Sequence, residues 1–297
     1  MTETFQLPLP HGITLSCRAA GTPGAPTLVF LHGFPEAAFV WDDMLEHFAA
    51  QGFRCVAPNL RGYELSSAPT EVSAYKPRHL VQDVAALIDW ASPGQPLACL
   101  VAHDWGGALA WNLANQMPQR LAKLAILNSP HPGTFVRELQ SNPQQQAASA
   151  YMNLLVQPDA EARLAENDFA MLWAFLTSTP DGQAAWLTAP LKETYRNIWR
   201  AGLSGPCNYY RASPLRPPSA NDAGAAQLVL PRSMLTVDVP TRVIWGMDDV
   251  ALPPCLIDGL EDYVAQLDLQ RVSGATHWLL HEQPERVRAL LHEFICQ

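Results

Sequence analysis

Basic residues are scarce in this chain of 297 residues. There are 19 Lys+Arg against 28 Asp+Glu, which gives a formal net charge of −9 at pH 7. Proteins that bind nucleic acid through its phosphates need a basic patch or stripe, so the composition argues against a nucleic-acid partner. Charged residues of both signs make up only 16% of the chain, compared with about 25% in an average globular protein. This composition favours a small, largely neutral and apolar substrate over a polyanion.

Long hydrophobic runs are also missing. No apolar stretch approaches the roughly 20 residues of a membrane-spanning helix, and the longest ones, residues 27–31 and 97–102, have the length of a buried strand. The first twelve residues (MTETFQLPLPHG) have neither the basic start nor the apolar segment of a secretory signal. We therefore expect no membrane partner and a cytoplasmic location.

Cysteine is sparse, and no two cysteines form the CxxC pair that is typical of zinc and redox sites. We interpret the cysteines as free thiols of a cytosolic protein. Hydrophobic residues account for 48% of the chain, which excludes a disordered protein and is enough for a large core. The six cysteines are Cys17, Cys55, Cys99, Cys207, Cys255 and Cys296.

Short apolar runs alternate with helical patterns over much of the chain. Residues 27–31, 97–102 and 241–245 are nearly continuous apolar runs, which are typical of parallel strands covered on both faces. Apolar residues at the spacing of one helical face follow, in residues 80–88 and 287–294. The alternation predicts right-handed βαβ crossovers in a doubly wound sheet.

Residues 134–232 break this rhythm. Residues 169–176 place apolar side chains on one helical face, whereas residues 213–231 are rich in Pro, Ala and Gly. A chain of this length is also at the limit of what one hydrophobic core holds. We predict a mostly helical insertion over the carboxyl ends of the strands, where open α/β sheets bind ligands. The expected domains are a core formed by residues 1–133 and 233–297 and a helical cap formed by residues 134–232.

The sharpest motif is AHDWGG, residues 102–107, which lies between an apolar strand and a helical pattern. A nucleophile elbow needs small residues two before and two after the nucleophile, because the strained strand-to-helix turn packs tightly. Ala102 and Gly106 meet this requirement around Asp104. A carboxylate that attacks a saturated carbon forms an ester, which water can hydrolyse at the carboxyl carbon, whereas serine would form an unreactive ether. Asp104 therefore indicates chemistry on epoxides or carbon–halogen bonds, although a lone Asp at this position could also serve only as a helix N-cap.

The HGFPE motif, residues 32–36, follows the first strong strand. A loop at this position can supply one backbone N–H of an oxyanion hole, and the residue after the nucleophile supplies the other. These residues would be Phe34 and Trp105.

An acid and a histidine follow the strand at residues 241–245. Asp249 lies just past this strand, and His277 lies 28 residues further on, in a loop past the next predicted strand. The chain order of nucleophile, acid and histidine at one edge of the sheet predicts a triad in which His277 activates water and the acid orients it. Asp248 is the alternative acid.

His277 and His281 are four residues apart, as in some zinc sites. However, Gly274 and Pro284 indicate a loop, and the sequence offers no third ligand. We therefore expect no metal.

Together, these segments resemble the α/β-hydrolase superfamily, and in particular its branch of epoxide hydrolases and dehalogenases. The resemblance covers almost the whole chain. It implies the α/β-hydrolase fold, with a mostly parallel eight-stranded sheet, helices on both faces and a helical cap inserted after strand 6. It favours Asp249 over Asp248, since Asp249 lies three residues after Gly246 as in the family. It implies no organic cofactor and no metal.

Two cap segments resemble those that carry the ring-opening tyrosines of epoxide hydrolases. Residues 208–211 (NYYR) resemble the aromatic-Tyr-Arg motif, which places one phenol at Tyr210. The second is Tyr151, seven residues before Pro158. Opening an epoxide places negative charge on its oxygen, which two phenols can stabilise. The resemblance thus implies an epoxide hydrolase that forms a vicinal diol through a covalent ester on Asp104.

Several alternatives stay open. Haloacetate dehalogenases have two arginines where Trp105 and Ala108 stand, to clamp a carboxylate. Haloalkane dehalogenases share the Asp–Trp pair, whose indole N–H binds halide, but they usually carry Asn or Glu where Phe34 stands and lack the tyrosine pair. A ligand-binding protein of this fold without catalysis is a remote alternative. Tyrosines of a cap helix can also serve only in packing, which is our interpretation of Tyr209.

Overall fold

The computed structural model describes residues 2–179 and 184–297. In these residues one sheet contains eight strands in the order β1-β2-β4-β3-β5-β6-β7-β8. The strands β1 and β2 pair antiparallel, as do β2 and β4, and all other pairs are parallel. The strands are β1 (Glu3–Pro8), β2 (Thr14–Ala20), β3 (Thr27–Leu31), β4 (Arg54–Pro58), β5 (Cys99–His103), β6 (Leu124–Leu127), β7 (Thr241–Gly246) and β8 (Leu267–Val272).

Helices cover both faces of the sheet, and six helices of the described residues lie between β6 and β7. The core helices are α1 (Asp42–Ala50), α2 (Pro77–Ala91), α3 (Asp104–Gln116), α10 (Leu279–Glu282) and α11 (Pro284–Cys296). The inserted helices are α4 (Pro132–Ser141), α5 (Pro143–Ala148), α6 (Tyr151–Leu155), α7 (Ala160–Leu176), α8 (Ala189–Ala201) and α9 (Ser204–Arg211). This architecture confirms the predicted α/β-hydrolase fold with a helical insertion after the sixth strand. The domain boundaries at residues 134 and 232 stay a prediction.

The central strands are apolar on both faces because both faces are covered. Strand β3 is buried at every position, and its side chains alternate between two separate cores. Val29 and Leu31 belong to the core that continues into the inserted helices. Leu28 and Phe30 pack into the second core, with α1 and α11. Strand β5 begins at Cys99, two residues later than the apolar run that predicts it, and Leu97 forms only an isolated bridge to Leu121.

Helix α7 is interrupted where the predicted apolar face of residues 169–176 begins. Asn167, Asp168 and Phe169 have φ values of 50°, 56° and 62°, in the left-handed region. Phe169 therefore lies in an interruption of the helix, and the regular face begins after it. The carboxylate of Asp168 accepts a hydrogen bond from Arg196 Nε at 2.9 Å, and this contact holds the interruption against α8.

The inserted helices are tied to the loops at the carboxyl ends of the strands. The indole Nε1 of Trp199 donates to the Pro35 carbonyl oxygen at 2.8 Å, and the Tyr209 hydroxyl donates to the Arg61 carbonyl oxygen at 2.9 Å. These hydrogen bonds fix α8 and α9 over the edge of the sheet at which ligands bind in open α/β folds. Within the described ranges, no helix is long and apolar enough to cross a membrane.

Candidate active site

Asp104 lies at the sharp turn where β5 meets α3. Its backbone has φ of 49°, in the left-handed region that non-glycine residues rarely adopt. Two residues on, Gly106 packs against the end of β3, where an added Cβ would lie 2.5 Å from the Leu31 carbonyl oxygen. Any larger residue would push α3 away from the sheet. The small residue expected at this position therefore has the predicted steric cause.

The carboxylate of Asp104 receives the two backbone N–H groups expected to form an oxyanion hole. The Phe34 N–H donates to Oδ1 at 2.7 Å, and the Trp105 N–H also donates to the carboxylate. The loop can approach this closely because of Gly33, where a Cβ would lie 2.2 Å from Asp104 Oδ1. The structure thus brings Phe34, Asp104 and Trp105 together.

His277 lies between two carboxylates. Its Nδ1 is 2.8 Å from Asp249 Oδ2, and its Nε2 is 3.8 Å from Asp104 Oδ2. The side chain of Asp249 is fully buried, whereas Asp248, the alternative acid, is exposed. The structure therefore places Asp249, and not Asp248, beside His277.

Asp249 is held in place by three donors. Its Oδ1 accepts the backbone N–H of Ala251 at 2.9 Å and of Leu252 at 2.8 Å, and its Oδ2 accepts the Asn128 amide at 2.7 Å. A buried carboxylate with this many donors is fixed in position. It therefore orients the His277 ring so that Nε2 faces Asp104.

The surroundings shift the pKa values of His277 and Asp104. Burial alone would lower the pKa of His277, but the carboxylates of Asp249, Asp104 and Glu36 outweigh it and raise the pKa to about 9. Burial raises the pKa of Asp104, and His277 together with the two backbone N–H donors opposes that rise. His277 is therefore an imidazolium at neutral pH as long as Asp104 keeps its negative charge.

Replacing Asp104 with Asn is expected to lower the pKa of His277, because one of the charges that favour the imidazolium disappears. A neighbouring opposite charge at this distance changes a pKa by about 1 to 3 pH units. The His277 ring resonances, followed by NMR as the pH is raised, would then titrate well below 9. Asp248→Asn is the matched control, since this exposed carboxylate should leave the titration in place. An unchanged pKa in the Asp104→Asn variant would mean that His277 does not sense this carboxylate.

Tyr151 and Tyr210 face Asp104 from the inserted helices. Tyr151 is the first residue of α6 and Tyr210 lies in α9, and their ring centroids are 6.1 Å apart. Burial raises the pKa of both phenols above the ordinary value, so both are neutral hydrogen-bond donors at neutral pH. The Trp105 ring contacts the Tyr210 ring edge to face, with centroids 5.1 Å apart. Tyr209 differs from them, since its hydroxyl is bound to the Arg61 carbonyl.

Two cavities meet at these residues. Asp104, Tyr151 and Tyr210 line both of them, and the cavities measure about 770 and 780 Å³ with their open mouths included. The first extends past Trp105 towards α3, and the second extends past His277. Among the described residues that line the two cavities there is no Lys or Arg. The arginine pair with which haloacetate dehalogenases clamp a carboxylate has no counterpart here.

Sequence reasoning missed a buried polar cluster behind His277. Glu36 is fully buried, and its Oε1 accepts hydrogen bonds from the Tyr195 hydroxyl and from His281 Nε2, each at 2.6 Å. Its Oε2 lies 3.6 Å from His103 Nδ1, and His103 Nε2 contacts the His277 carbonyl oxygen at 3.0 Å. Glu36 thus connects the inserted helices to the backbone of His277. Glu36 is the last residue of the HGFPE motif, and this position next to Phe34 is the sequence feature that could have indicated its importance.

The pKa of Glu36 is strongly lowered in this cluster. Burial raises the pKa of Glu36, but His281, His103 and the Tyr195 hydroxyl outweigh it and lower the pKa to about 2. Glu36 therefore keeps its negative charge without access to water. The histidine that is spaced like a zinc ligand, His281, is used on this carboxylate, and in the described part of the chain no group of three or more ligating side chains is arranged for a metal ion.

Known proteins that are similar to this chain share one fold and include several epoxide hydrolases. A family model described as alpha/beta hydrolase fold matches residues 26–284. The AB hydrolase superfamily protein YfhM of Bacillus subtilis (strain 168) is 34% identical over 288 residues, which cover 96% of this chain and 95% of that protein. Epoxide hydrolase 4 of Mus musculus is 32% identical over 291 residues, which cover 96% of this chain and 77% of that protein. The crystal structure of Bacillus megaterium epoxide hydrolase in complex with an inhibitor has a TM-score of 0.88 and 30% identity, covering 99% of this chain and 100% of that one.

Proposed function

The chain belongs to the α/β-hydrolase fold family and to its epoxide hydrolase branch, and from this premise we propose that it hydrolyses a small apolar epoxide to a vicinal diol through a covalent ester on Asp104. The observation that carries the proposal is the position of two neutral phenols, Tyr151 and Tyr210, on the same cavities as the Asp104 carboxylate. A carboxylate can open an epoxide efficiently only if the departing oxygen finds hydrogen-bond donors. These cavities contain both the carboxylate and the hydrogen-bond donors.

In the first step, Asp104 attacks one ring carbon while the two phenols hold the epoxide oxygen. The new bond joins a carboxylate oxygen to carbon, the carbon–oxygen bond of the ring breaks, and its electron pair stays on oxygen. That oxygen takes a proton from one phenol, which leaves a hydroxyalkyl ester on Asp104 and a phenolate on Tyr151 or Tyr210. No cofactor is required for this step.

Formation of the ester lowers the pKa of His277. The negative charge of Asp104 is lost, so one of the carboxylates that raise the His277 pKa to about 9 no longer acts. The imidazolium can then give up its proton to the phenolate. His277 becomes a neutral base at the stage at which a base is required.

In the second step, neutral His277 takes a proton from water, and the hydroxide attacks the carboxyl carbon of Asp104. The N–H groups of Phe34 and Trp105 stabilise the oxyanion that forms. When the tetrahedral intermediate collapses, the diol oxygen departs and takes the second water proton from the carboxyl group. The cycle ends with the Asp104 carboxylate, neutral phenols and the His277 imidazolium, while Asp249 keeps the ring oriented throughout.

Dehalogenation by the same nucleophile is the competing function. The Trp105 indole would be the halide donor, but Phe34, which stands where haloalkane dehalogenases usually carry Asn or Glu, has no side-chain donor to assist it. The two phenols on the same cavities as Asp104 favour the phenol pair as the place where negative charge develops. A small panel of epoxides and haloalkanes, assayed for diol and for free halide, distinguishes the two functions.

Single turnover in ¹⁸O-water tests the ester directly. With enzyme in excess over epoxide, the label is expected in the side chain of Asp104, because water attacks the carboxyl carbon and the diol receives an unlabelled carboxylate oxygen. Peptide mass spectrometry locates the label. Label found mainly in the diol would mean that water attacks the epoxide directly, and it would overturn the covalent mechanism. Asp249 in the same digest is the internal control and should stay unlabelled.

A further inference from the structure

The two residues after β6 connect the two acids of the candidate site, and they carry an inference that rests on the proposed function. Strand β6 pairs with β5 on one side and with β7 on the other. Asp104 directly follows β5, and Asp249 lies just past β7. Asn128 and Ser129 directly follow β6 and are both fully buried. Asn128 binds the carboxylate of Asp249, and Ser129 binds the backbone of Asp104.

The Ser129 hydroxyl donates to the backbone carbonyl oxygen of Asp104 at 2.6 Å. Asp104 has φ of 49°, and a non-glycine residue persists in this region only where its surroundings hold it there. The hydrogen bond from Ser129 is such a restraint, and it acts on the residue that bears the proposed nucleophile. We infer that Ser129 is a positioning residue, whose hydroxyl keeps the Asp104 backbone in the conformation from which the carboxylate attacks the epoxide.

Helix α3 holds Ser129 in the place that this role requires. The Trp111 indole Nε1 donates to the Ser129 carbonyl oxygen at 3.1 Å. Gly107 lies against the Ser129 side chain, since an added Cβ would be 2.3 Å from Ser129 Cβ. Ser129 also lines the first cavity, but its hydroxyl is bound to the Asp104 carbonyl oxygen. Ser129 therefore acts through Asp104 and not on the substrate.

The role of Ser129 belongs to the first step of the proposed reaction. Before the attack, the direction in which the Asp104 carboxylate points depends on its own backbone. After the attack, the alkyl group in the cavity is a second anchor for the ester, so hydrolysis depends less on the backbone position. Asn128 serves the second step, because it donates to Asp249 Oδ2 at 2.7 Å and Asp249 orients His277.

Replacing Ser129 with Ala tests the inference, since the smaller residue fits the same space without the hydroxyl. Styrene oxide at saturation is the probe. The turnover rate and the fraction of esterified enzyme, read by intact-protein mass spectrometry, together give the rate constants of ester formation and ester hydrolysis. Ester formation is expected to slow by about 10- to 100-fold, since a small misplacement of reacting groups costs up to about 10²-fold. Ester hydrolysis should stay near the wild-type rate, and an equal change in both rate constants would overturn the inference.

Two further variants control this measurement. Ser66→Ala removes the same type of bond at the same length, from a buried hydroxyl to the Asn59 carbonyl oxygen at 2.6 Å, and Ser66 does not line either cavity. It should lower the unfolding temperature at least as much as Ser129→Ala and leave both rate constants unchanged. Asn128→Gly suits the φ of 33° at this position and should slow ester hydrolysis alone.

The outcomes separate this inference from the proposed function. Ester formation at the wild-type rate in Ser129→Ala would show that Ser129 does not position the nucleophile, while epoxide hydrolysis would stand. The same conclusion would follow if Ser66→Ala or Asn128→Gly slowed ester formation as strongly as Ser129→Ala. If the wild type forms neither ester nor diol from styrene oxide, the proposed function itself is wrong and the inference fails with it.

Discussion

Replacing His277 with Gln is expected to stop the reaction after the first chemical step. Asp104 and the two phenols remain, so the epoxide still opens and the ester forms. Without the imidazole no group takes a proton from water, and a general base contributes about 10²- to 10⁴-fold to such a step. Steady-state turnover should fall by this factor. The ester should accumulate, and the mass of the intact protein should increase by the mass of one epoxide.

Two further variants sharpen this experiment. Asp249→Asn keeps the imidazole but removes the charge that orients it at 2.8 Å, so ester hydrolysis should slow and a smaller fraction of the adduct should accumulate. His79→Gln, which changes a histidine on α2 that does not line either of the two cavities, should behave as the wild type. Normal turnover by the His277→Gln variant without any adduct would show that another residue activates the water.

The sequence could predict which residues of the candidate site lie together because their signals are local in the sequence. Asp104 stands in a strand–turn–helix motif that needs small neighbours, and His277 and Asp249 lie where two successive strands end at the same edge of the sheet. Each signal spans only a few residues. The structure brings these residues together at hydrogen-bond and ion-pair distances.

The cluster around Glu36 could not be predicted in the same way. Its hydrogen bonds join residues that are 159 positions apart, in the case of Tyr195, and 245 positions apart, in the case of His281. Such contacts depend on how the inserted helices dock onto the sheet, which no short pattern encodes. The interruption of α7 at Asn167 is similar, since three residues in the left-handed region leave no apolar pattern in the sequence.

The edges of the sheet show a related limit. Strands β1 and β2 lie at one edge of the sheet and β8 lies at the other. Strands at an edge carry a weaker apolar pattern than central strands, so the sequence pattern alone does not identify them. Strand β8 is only half-buried over most of its length, so it has no continuous apolar run. Family resemblance, rather than periodicity, predicted that the sheet has eight strands.

Replacing both Tyr151 and Tyr210 with Phe is expected to slow the first step by several orders of magnitude. Loss of one donor to a developing oxyanion costs about 10²- to 10³-fold. Loss of both leaves the epoxide oxygen without a donor and without a proton source. The His277→Gln background isolates this step, because there the rate at which the adduct mass appears measures ester formation alone.

The single Tyr→Phe variants and a variant of the neighbouring Tyr209 serve as comparison and control for this measurement. Each single Tyr→Phe change should slow adduct formation less than the double change, and the two effects should not simply add, because the phenols act on one oxygen. Tyr209→Phe is the matched control on the same helix. It removes the hydrogen bond to the Arg61 carbonyl and should cost about 1 kcal/mol of stability, with a far smaller effect on the rate of adduct formation. If the double variant alkylates at the wild-type rate, the charge of the opening ring is stabilised elsewhere, and the Trp105 indole, the halide donor of the competing function, becomes the candidate.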